Sequence, residues 1–225
     1  MKIFTITLSL VAALATGAWA QGFVSIANTL AATAIYTSGF FGVTNKTGTV
    51  ASSYYYDVLI NASTVTTIDS SLQGLTAAGW SDSSITGVNG IGGLGAGKIT
   101  AVNTASSVWA PGAQQAFVVV GWSGNLGSTW AQVEALLPDL TFFPFGGAWA
   151  GPVPGYLGYT TVGSAIAGST AGTAAALFAT TSTPSVPVPV STVTVLYPIT
   201  PEPGALALAS LGVATLLSFR LRKTS

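Results

Sequence analysis

The sequence contains no cysteine and no histidine, and these two absences exclude much catalytic chemistry. Without histidine there is no Ser-His-Asp or Cys-His nucleophilic centre and no histidine-ligated zinc. Without cysteine there is no disulfide, so a folded body must depend on its core and its sheet hydrogen bonds. We therefore expect no metal centre, no cofactor and no enzymatic activity.

Charge is also scarce, since Asp, Glu, Lys and Arg make up only 5% of the sequence. Residues 21–200 carry a net charge of −3, from the two cations Lys46 and Lys98 and five anions. Nucleic-acid binding needs a basic surface, so we expect no nucleic-acid partner. The five anions are Asp57, Asp69, Asp82, Glu134 and Asp139.

The first twenty residues have the pattern of a secretory signal peptide. Lys2 precedes an apolar run from Ile3 to Ala15, and the small residues Ala18 and Ala20 flank Trp19. A positive n-region, an apolar h-region and an A-x-A-like site are typical of such signals. We predict that residues 1–20 are removed by cleavage after Ala20 and that the protein is exported.

The other end of the chain has an uncharged apolar segment, Ala205 to Phe219. As a helix it rises roughly 22 Å, which is short of a bilayer core of about 30 Å. The cations that follow can reach the headgroups and favour the cytoplasmic side. The pattern predicts a C-terminal transmembrane helix with a basic stop, formed by Arg220, Arg222 and Lys223.

Residues 201–225 resemble the PEP-CTERM sorting signal of Gram-negative bacteria: Pro-Glu-Pro, a short apolar helix and a basic end. In that family an exosortase, a membrane-embedded cysteine transpeptidase or protease, recognises the tail and cuts near it. Such systems usually accompany exopolysaccharide production. The resemblance implies a transient membrane anchor and a final place at the cell surface or in the extracellular matrix. It makes Pro201, Glu202 and Pro203 the sorting motif. An ordinary tail anchor with an incidental Pro-Glu-Pro is the alternative.

Residues 21–180 are rich in Thr, Val, Ser, Gly, Tyr and Trp, which favours β structure. Short strands between turn signals predict an antiparallel β-sandwich or jelly-roll-like domain with one short helix. The run Phe117 to Val120 is typical of a strand buried on both faces. The expected strands are Phe23–Ala27, Ala31–Thr37, Tyr54–Ile60, Thr64–Ile68, Lys98–Asn103, Gln115–Trp122, Tyr159–Val162 and Val193–Tyr197, with a turn at Gly87–Gly90.

The helix is predicted after Thr129, which forms an S/T-x-x-Q capping box with Gln132. Trp130, Val133, Leu136 and Leu137 would share one apolar face, and Pro138 would end the helix. A second short helix over Leu72–Ala78 is a weaker pattern. Residues 181–200 repeat proline at near-alternate positions and are expected to be an extended spacer, with a proline-tolerant edge strand as the alternative.

Two patterns invite a catalytic interpretation. Gly92 to Lys98 matches the glycine spacing of a phosphate-binding loop, but Ile99 stands where Ser or Thr should follow, so we expect a flexible loop. The five acids could include a glycosidase pair, which needs two carboxyl groups about 5 to 9.5 Å apart. They lack a local motif or a dense calcium-binding loop, and we expect them to be solvated.

The aromatic residues suggest carbohydrate binding instead, because a flat ring matches the C–H face of a pyranose. Trp122 and Trp130 fall on the best strand and helix and are expected to be buried. Trp109 and Trp149 precede turn residues and are the predicted sugar-stacking side chains. The leading hypothesis is an exported structural or interaction protein associated with exopolysaccharide. The alternatives are a carbohydrate-binding module and, third, a polysaccharide-active enzyme.

Overall fold

The computed structural model describes residues 21–38, 44–48, 53–69, 74–77, 79–90, 95–142 and 155–201. These residues form a mainly β fold, as predicted, with two short α-helices. The strands are β1 Gly22–Ser25, β2 Ile35–Ser38, β3 Thr44–Lys46, β4 Tyr54–Ala62, β5 Ser81–Asn89, β6 Ile99–Asn103, β7 Ala105–Ser106, β8 Gln114–Ser123, β9 Leu140–Phe142, β10 Tyr156–Tyr159, β11 Gly163–Ile166, β12 Ala175–Ala176 and β13 Thr194–Pro201. The helices are α1 Gly74–Ala77 and α2 Trp130–Glu134.

Most strands belong to one large curled sheet with the order β3-β2-β13-β10-β8-β4-β5-β6. Strand β11 also pairs with β8, and β9 pairs with β13. The pairing is antiparallel except between β13 and β2, which run parallel. A small sheet, β12-β1-β7, contains a second parallel pair, β1 with β12. The result is sandwich-like, with a few parallel pairs that the sequence did not predict.

Strand β8 is buried on both faces, as predicted, because successive side chains point to opposite faces of a sheet. On one face Phe117 and Val119 belong to a cluster with Val24 and Ile26 of the β1 region. On the other face Val118, Val120 and Trp122 pack with Trp130 and Val133 of α2. Full burial of each large apolar side chain contributes about 1.5–3 kcal/mol, so this strand is the centre of the core.

Helix α2 begins where the sequence predicts. Thr129 is its N-cap, and its capping box with Gln132 is formed in both directions. The Gln132 Oε1 atom accepts the backbone N–H of Ser128 at 2.8 Å and that of Thr129 at 3.3 Å. The helix is shorter than predicted. It ends at Glu134, Leu136 is exposed, and Leu137 reaches the core from a following 3-10 turn that contains Pro138.

Strand β5 replaces the turn expected at Gly87–Gly90, so that prediction was wrong. A Cβ atom on Gly87 would lie 2.7 Å from Ile99 Cγ2, which explains glycine inside a strand. Asn89 Oδ1 accepts the backbone N–H groups of Ser53 and Tyr54 at 3.1 and 3.0 Å. Asn89 therefore ties β5 to the start of β4. The expected strand Thr64–Ile68 does not form.

The segment expected as a spacer is part of the folded body. Val186 and Val190 are core residues, and β13 lies inside the large sheet between β2 and β10. The prolines prevent a continuous ladder, so residues before β13 make isolated bridges such as Ser164 with Val188. Burial of alternate valines explains why a proline-rich sequence packs here. The body therefore continues to Pro201 instead of stopping at residue 180.

Several predicted features lie outside the described residues. Among the helices that the structure describes, none combines the length and apolar character needed to cross a membrane. The expected transmembrane helix, the signal peptide and most of the sorting tail fall beyond the described ranges. The residues concerned are Ala18, Ala20, Trp149, Glu202, Pro203, Arg220, Arg222 and Lys223.

Candidate functional site

A cleft of about 440 Å³ opens beside the N-terminus of α2 and strands β4, β5 and β6. We call it the Asp57 cleft. Its deeper part is formed by Tyr55, Asp57 and Trp122, of which Tyr55 is half-buried and the other two are buried. Its rim is polar and more exposed, with Asp82, Ser84, Thr86, Asn103, Ser128 and Thr129.

Three aromatic rings in the cleft contact one another in sequence, the first pair stacked and the second tilted. Tyr55 and Trp122 are register partners on β4 and β8. Their ring centroids are 6.3 Å apart with planes inclined by 21°. Trp122 in turn contacts Trp130 at a centroid distance of 6.0 Å. The Trp122 Nε1–H group donates to the Gly127 carbonyl oxygen at 2.9 Å, which fixes the indole orientation.

Two carboxyl groups meet in the same cleft because the pairing of β4 with β5 is irregular. Asp57 pairs with Thr86 and Leu59 with Asp82, and a bulge separates these pairs. Such a bulge redirects side chains at a sheet surface. It brings the Asp82 side chain into hydrogen-bonding contact with the Asp57 side chain. Asp57 is only 3% exposed.

Asp57 is a protonated acid at neutral pH. Burial first, and the neighbouring Asp82 side chain second, raise the pKa of Asp57 to about 8, although the hydrogen bond from the Val58 N–H group opposes the shift. That N–H donates to Asp57 Oδ1 at 2.7 Å. The Asp57 carboxyl can therefore donate a hydrogen bond to the neighbouring Asp82 near pH 7.

Ser84, on the rim next to Asp82, has a strained backbone conformation that two hydrogen bonds hold in place. Ser84 has a φ of 62°, a left-handed conformation that is uncommon outside glycine. Its backbone N–H donates to Asp82 Oδ1 at 2.5 Å, and its carbonyl oxygen accepts from Asn103 Nδ2 at 2.6 Å. These two bonds hold the Asp82 carboxylate and the Asn103 amide beside the opening.

The predicted sugar-stacking role of Trp109 is wrong for this structure, because Trp109 is 0% exposed. Its Nε1–H group donates to the Ala113 carbonyl oxygen at 2.9 Å, and its ring lies 6.5 Å from that of Phe117. The Ser106 hydroxyl oxygen accepts the Trp109 N–H at 3.0 Å and closes a turn that directs the indole inward. Trp149 lies outside the described residues. The predicted burial of Trp122 and Trp130 is confirmed.

The expectation that all five acids are solvated is wrong for Asp57. The structure brings Asp57 and Asp82 together, whereas Asp69 and Glu134 are exposed and do not line the cleft. Among the described residues, no group of three or more potential metal-ligating side chains occurs. An acid in the middle of an aromatic and β-branched strand was the one signal that could have indicated a buried carboxyl.

The arrangement suits recognition of a polyhydroxylated ring. A flat aromatic stack is flanked by hydroxyl, amide and carboxyl groups that can donate and accept hydrogen bonds. A glycosidase needs space for the scissile bond between its two carboxyl groups, about 5 Å or more apart. Asp57 and Asp82 are instead in hydrogen-bonding contact, which is closer than such a pair requires.

A second depression, of about 470 Å³, lies on the opposite face of the large sheet. It is lined by Tyr54, Tyr156, Ser123 and Asn125. Tyr54 and Tyr156 pack against the cluster around Phe117, whereas Tyr55 packs against the cluster around Trp122. None of the described residues that line this depression is an acid, so it offers matched control residues for the Asp57 cleft.

Comparison of the chain with protein-family models, with curated proteins and with solved structures finds no match in any of the three.

Proposed function

We propose that this protein is an exported, non-enzymatic surface or matrix protein that binds exopolysaccharide in the Asp57 cleft. The observation that carries the proposal is the Tyr55–Trp122 stack beside a rim of hydroxyl, amide and carboxyl groups. Aromatic rings supply area at low entropic cost, and the polar rim supplies hydrogen bonds to sugar hydroxyls. The proposed sugar-binding site is therefore the Asp57 cleft, and no longer the loop residues Trp109 and Trp149.

Binding of the exported protein to the host's own exopolysaccharide tests this function, by affinity electrophoresis or calorimetry. Tyr55→Ala should weaken binding, while Tyr156→Ala should not, because Tyr156 lies in the depression on the other face. Absence of binding to the host polysaccharide contradicts the proposal.

We propose that the C-terminal tail directs the delivery of this protein to the cell surface or matrix. Strand β13 ends at Pro201, and Glu202 and Pro203 come directly after it. A sorting peptidase that cuts near this motif would release the body with β13 intact. Before that cut, a transmembrane helix over residues 205–219 and the basic stop would hold the chain in the membrane.

Fractionation of cells with and without the sorting peptidase tests the delivery step, together with the intact mass of the exported protein. The mass should show loss of residues 1–20 and a cut close to Pro201–Pro203. If anchoring and release are unchanged without the peptidase, the exosortase is not the partner, whatever the body binds.

Polysaccharide hydrolysis is a second candidate, because two carboxyl groups do share the cleft. Protonated Asp57 would serve as the acid and Asp82 as the second carboxyl group. Their direct hydrogen bond favours binding over hydrolysis. An assay for new reducing ends decides between the two functions. Hydrolytic activity that Asp57→Asn abolishes would establish an enzyme. If the unchanged protein produces no new reducing ends, binding is the function that remains.

A further inference from the structure

Among the described residues, the lining of the Asp57 cleft contains two acids and no cation. Asp57 and Asp82 line it, whereas Lys46 and Lys98, the two cations of residues 21–201, do not. A uronate or sulfate group would therefore enter an environment that already has negative charge. A lining of this kind would favour neutral or cationic sugars over anionic ones.

Within the part of the chain that the structure describes, hydrogen bonds occupy only some of the acceptor positions of the acid pair. A carboxylate offers about four lone-pair positions. The backbone N–H of Ser84 and the Asp57 carboxyl each occupy one on Asp82, and the backbone N–H of Val58 occupies one on Asp57. Asp82 is exposed at the opening of the cleft, so its remaining positions are accessible to a bound donor.

The aromatic stack lies next to this acceptor. Tyr55 precedes Asp57 by two positions on β4, so both side chains point to the same face of the sheet. Trp122, directly opposite Tyr55, faces the same way. A sugar ring placed over the partly exposed Tyr55 would therefore present its substituents to the acid pair.

We propose that the cleft selects an amino sugar, with the protonated amine of a glucosamine-type unit donating to Asp82 beside Asp57 while its ring stacks on Tyr55. The proposal rests on the polysaccharide-binding function above and specifies its ligand class. A primary ammonium offers three donors and a full charge, and charge-assisted hydrogen bonds are about twice as strong as neutral ones. The ring faces also attract a cation.

N-acetylation removes this advantage, because an acetamide has no charge and a single N–H. Calorimetry at pH 6 and low salt therefore compares a β-1,4-linked glucosamine hexasaccharide with the same hexasaccharide fully N-acetylated. With the exported protein we expect the free amine to bind about tenfold more tightly. The preference should decrease in high salt, because screening weakens the attraction.

Asp82→Asn should reduce the preference to near parity, because the amide retains the acceptor for Ser84 but removes the charge. The matched control is Glu134→Gln, which removes one negative charge from the exposed face of α2, outside the cleft lining. It should leave the tenfold ratio intact. Thermal unfolding of both variants checks that each is folded.

Two outcomes overturn the inference. Equal affinity for the two hexasaccharides means that the cleft does not recognise the amine. The proposed binding of the host polysaccharide is unaffected by that result. A preference that survives Asp82→Asn does not come from the Asp82 charge, and a preference that Glu134→Gln also removes comes from the overall charge of the protein. If neither hexasaccharide nor the host polysaccharide binds, the proposed function itself fails.

Discussion

Tyr55 and Trp122 lie directly opposite each other on β4 and β8, with ring centroids 6.3 Å apart and planes inclined by 21°. Trp130 supports Trp122 from α2, so helix capping and strand register together set the position of the stack. Tyr55 is the half-buried member and Trp122 and Trp130 are buried. Tyr55 is therefore the ring available to a ligand.

Replacing Tyr55 by alanine should weaken binding of the host polysaccharide by about tenfold or more, since truncated aromatic contacts at a binding site commonly cost above 1 kcal/mol. Calorimetry measures the change. Tyr156→Ala is the matched control, because it removes a half-buried tyrosine from the opposite face. Equal losses from the two variants would mean that the Asp57 cleft is not the binding site.

Asp57 should make the stability of the protein depend on pH. The pKa of Asp57 is raised to about 8 in the fold by burial and by Asp82, whereas an unfolded Asp titrates near about 3.9. Between these values the folded state retains a proton that the unfolded chain has released. The stabilisation is therefore complete below about pH 4 and is lost as the pH rises to about 8.

The free energy of unfolding should fall across this window by at most about 1.4 kcal/mol per pH unit, then level off. Urea denaturation from pH 5 to pH 9 measures the slope. Asp57→Asn should flatten it, because the amide is neutral throughout. Glu134→Gln should retain it, since Glu134 is exposed on α2. The same slope in Asp57→Asn and in the unchanged protein would refute the assignment to Asp57.

The sequence predicted those strands and helices whose formation depends on residues within the element itself. The apolar run from Phe117 to Val120 predicted a doubly buried strand, and Thr129 with Gln132 predicted the start of α2. Strand β5 has no such signal, since Ser81, Asp82, Ser83 and Ser84 form a polar run. Its conformation comes from pairing with β4 and β6, which only the assembled sheet supplies.

The site was less predictable than the fold, because it depends on contacts between distant segments. Asp57 could be placed on a strand, but its partner Asp82 reaches it through a register shift that no local pattern reports. Trp109 is adjacent to turn residues, which indicate a bend but not whether the indole points inward. Burial of Trp109 follows from the Ser106 turn and the Ala113 acceptor.

Trp109→Ala should therefore act on stability. Removing a fully buried tryptophan typically costs about 3–5 kcal/mol, and urea unfolding measures the loss. Val108→Ala is the neighbouring control: Val108 is 55% exposed and its truncation should change stability by less than about 0.5 kcal/mol. Unchanged stability with lost polysaccharide binding in Trp109→Ala would restore the original sugar-contact hypothesis.

The proline-rich C-terminal part of the body should be essential for folding. Residues 181–201 supply Val186, Val190 and Leu196 to the core, and β13 joins β2 to β10. A chain ending at Pro201 should unfold in one cooperative transition in urea, whereas a chain ending at Thr180 should show none. A cooperative transition in the shorter chain would support the spacer interpretation.

A point substitution tests the same dependence without truncation. Leu196 is 1% exposed and Val193 is 50% exposed, and both lie at the β13 end of the chain. Leu196→Ala should cost about 2–5 kcal/mol, as for other buried leucines, and Val193→Ala less than about 0.5 kcal/mol. Similar small losses from both variants would show that β13 contributes little to stability, although it sits inside the sheet.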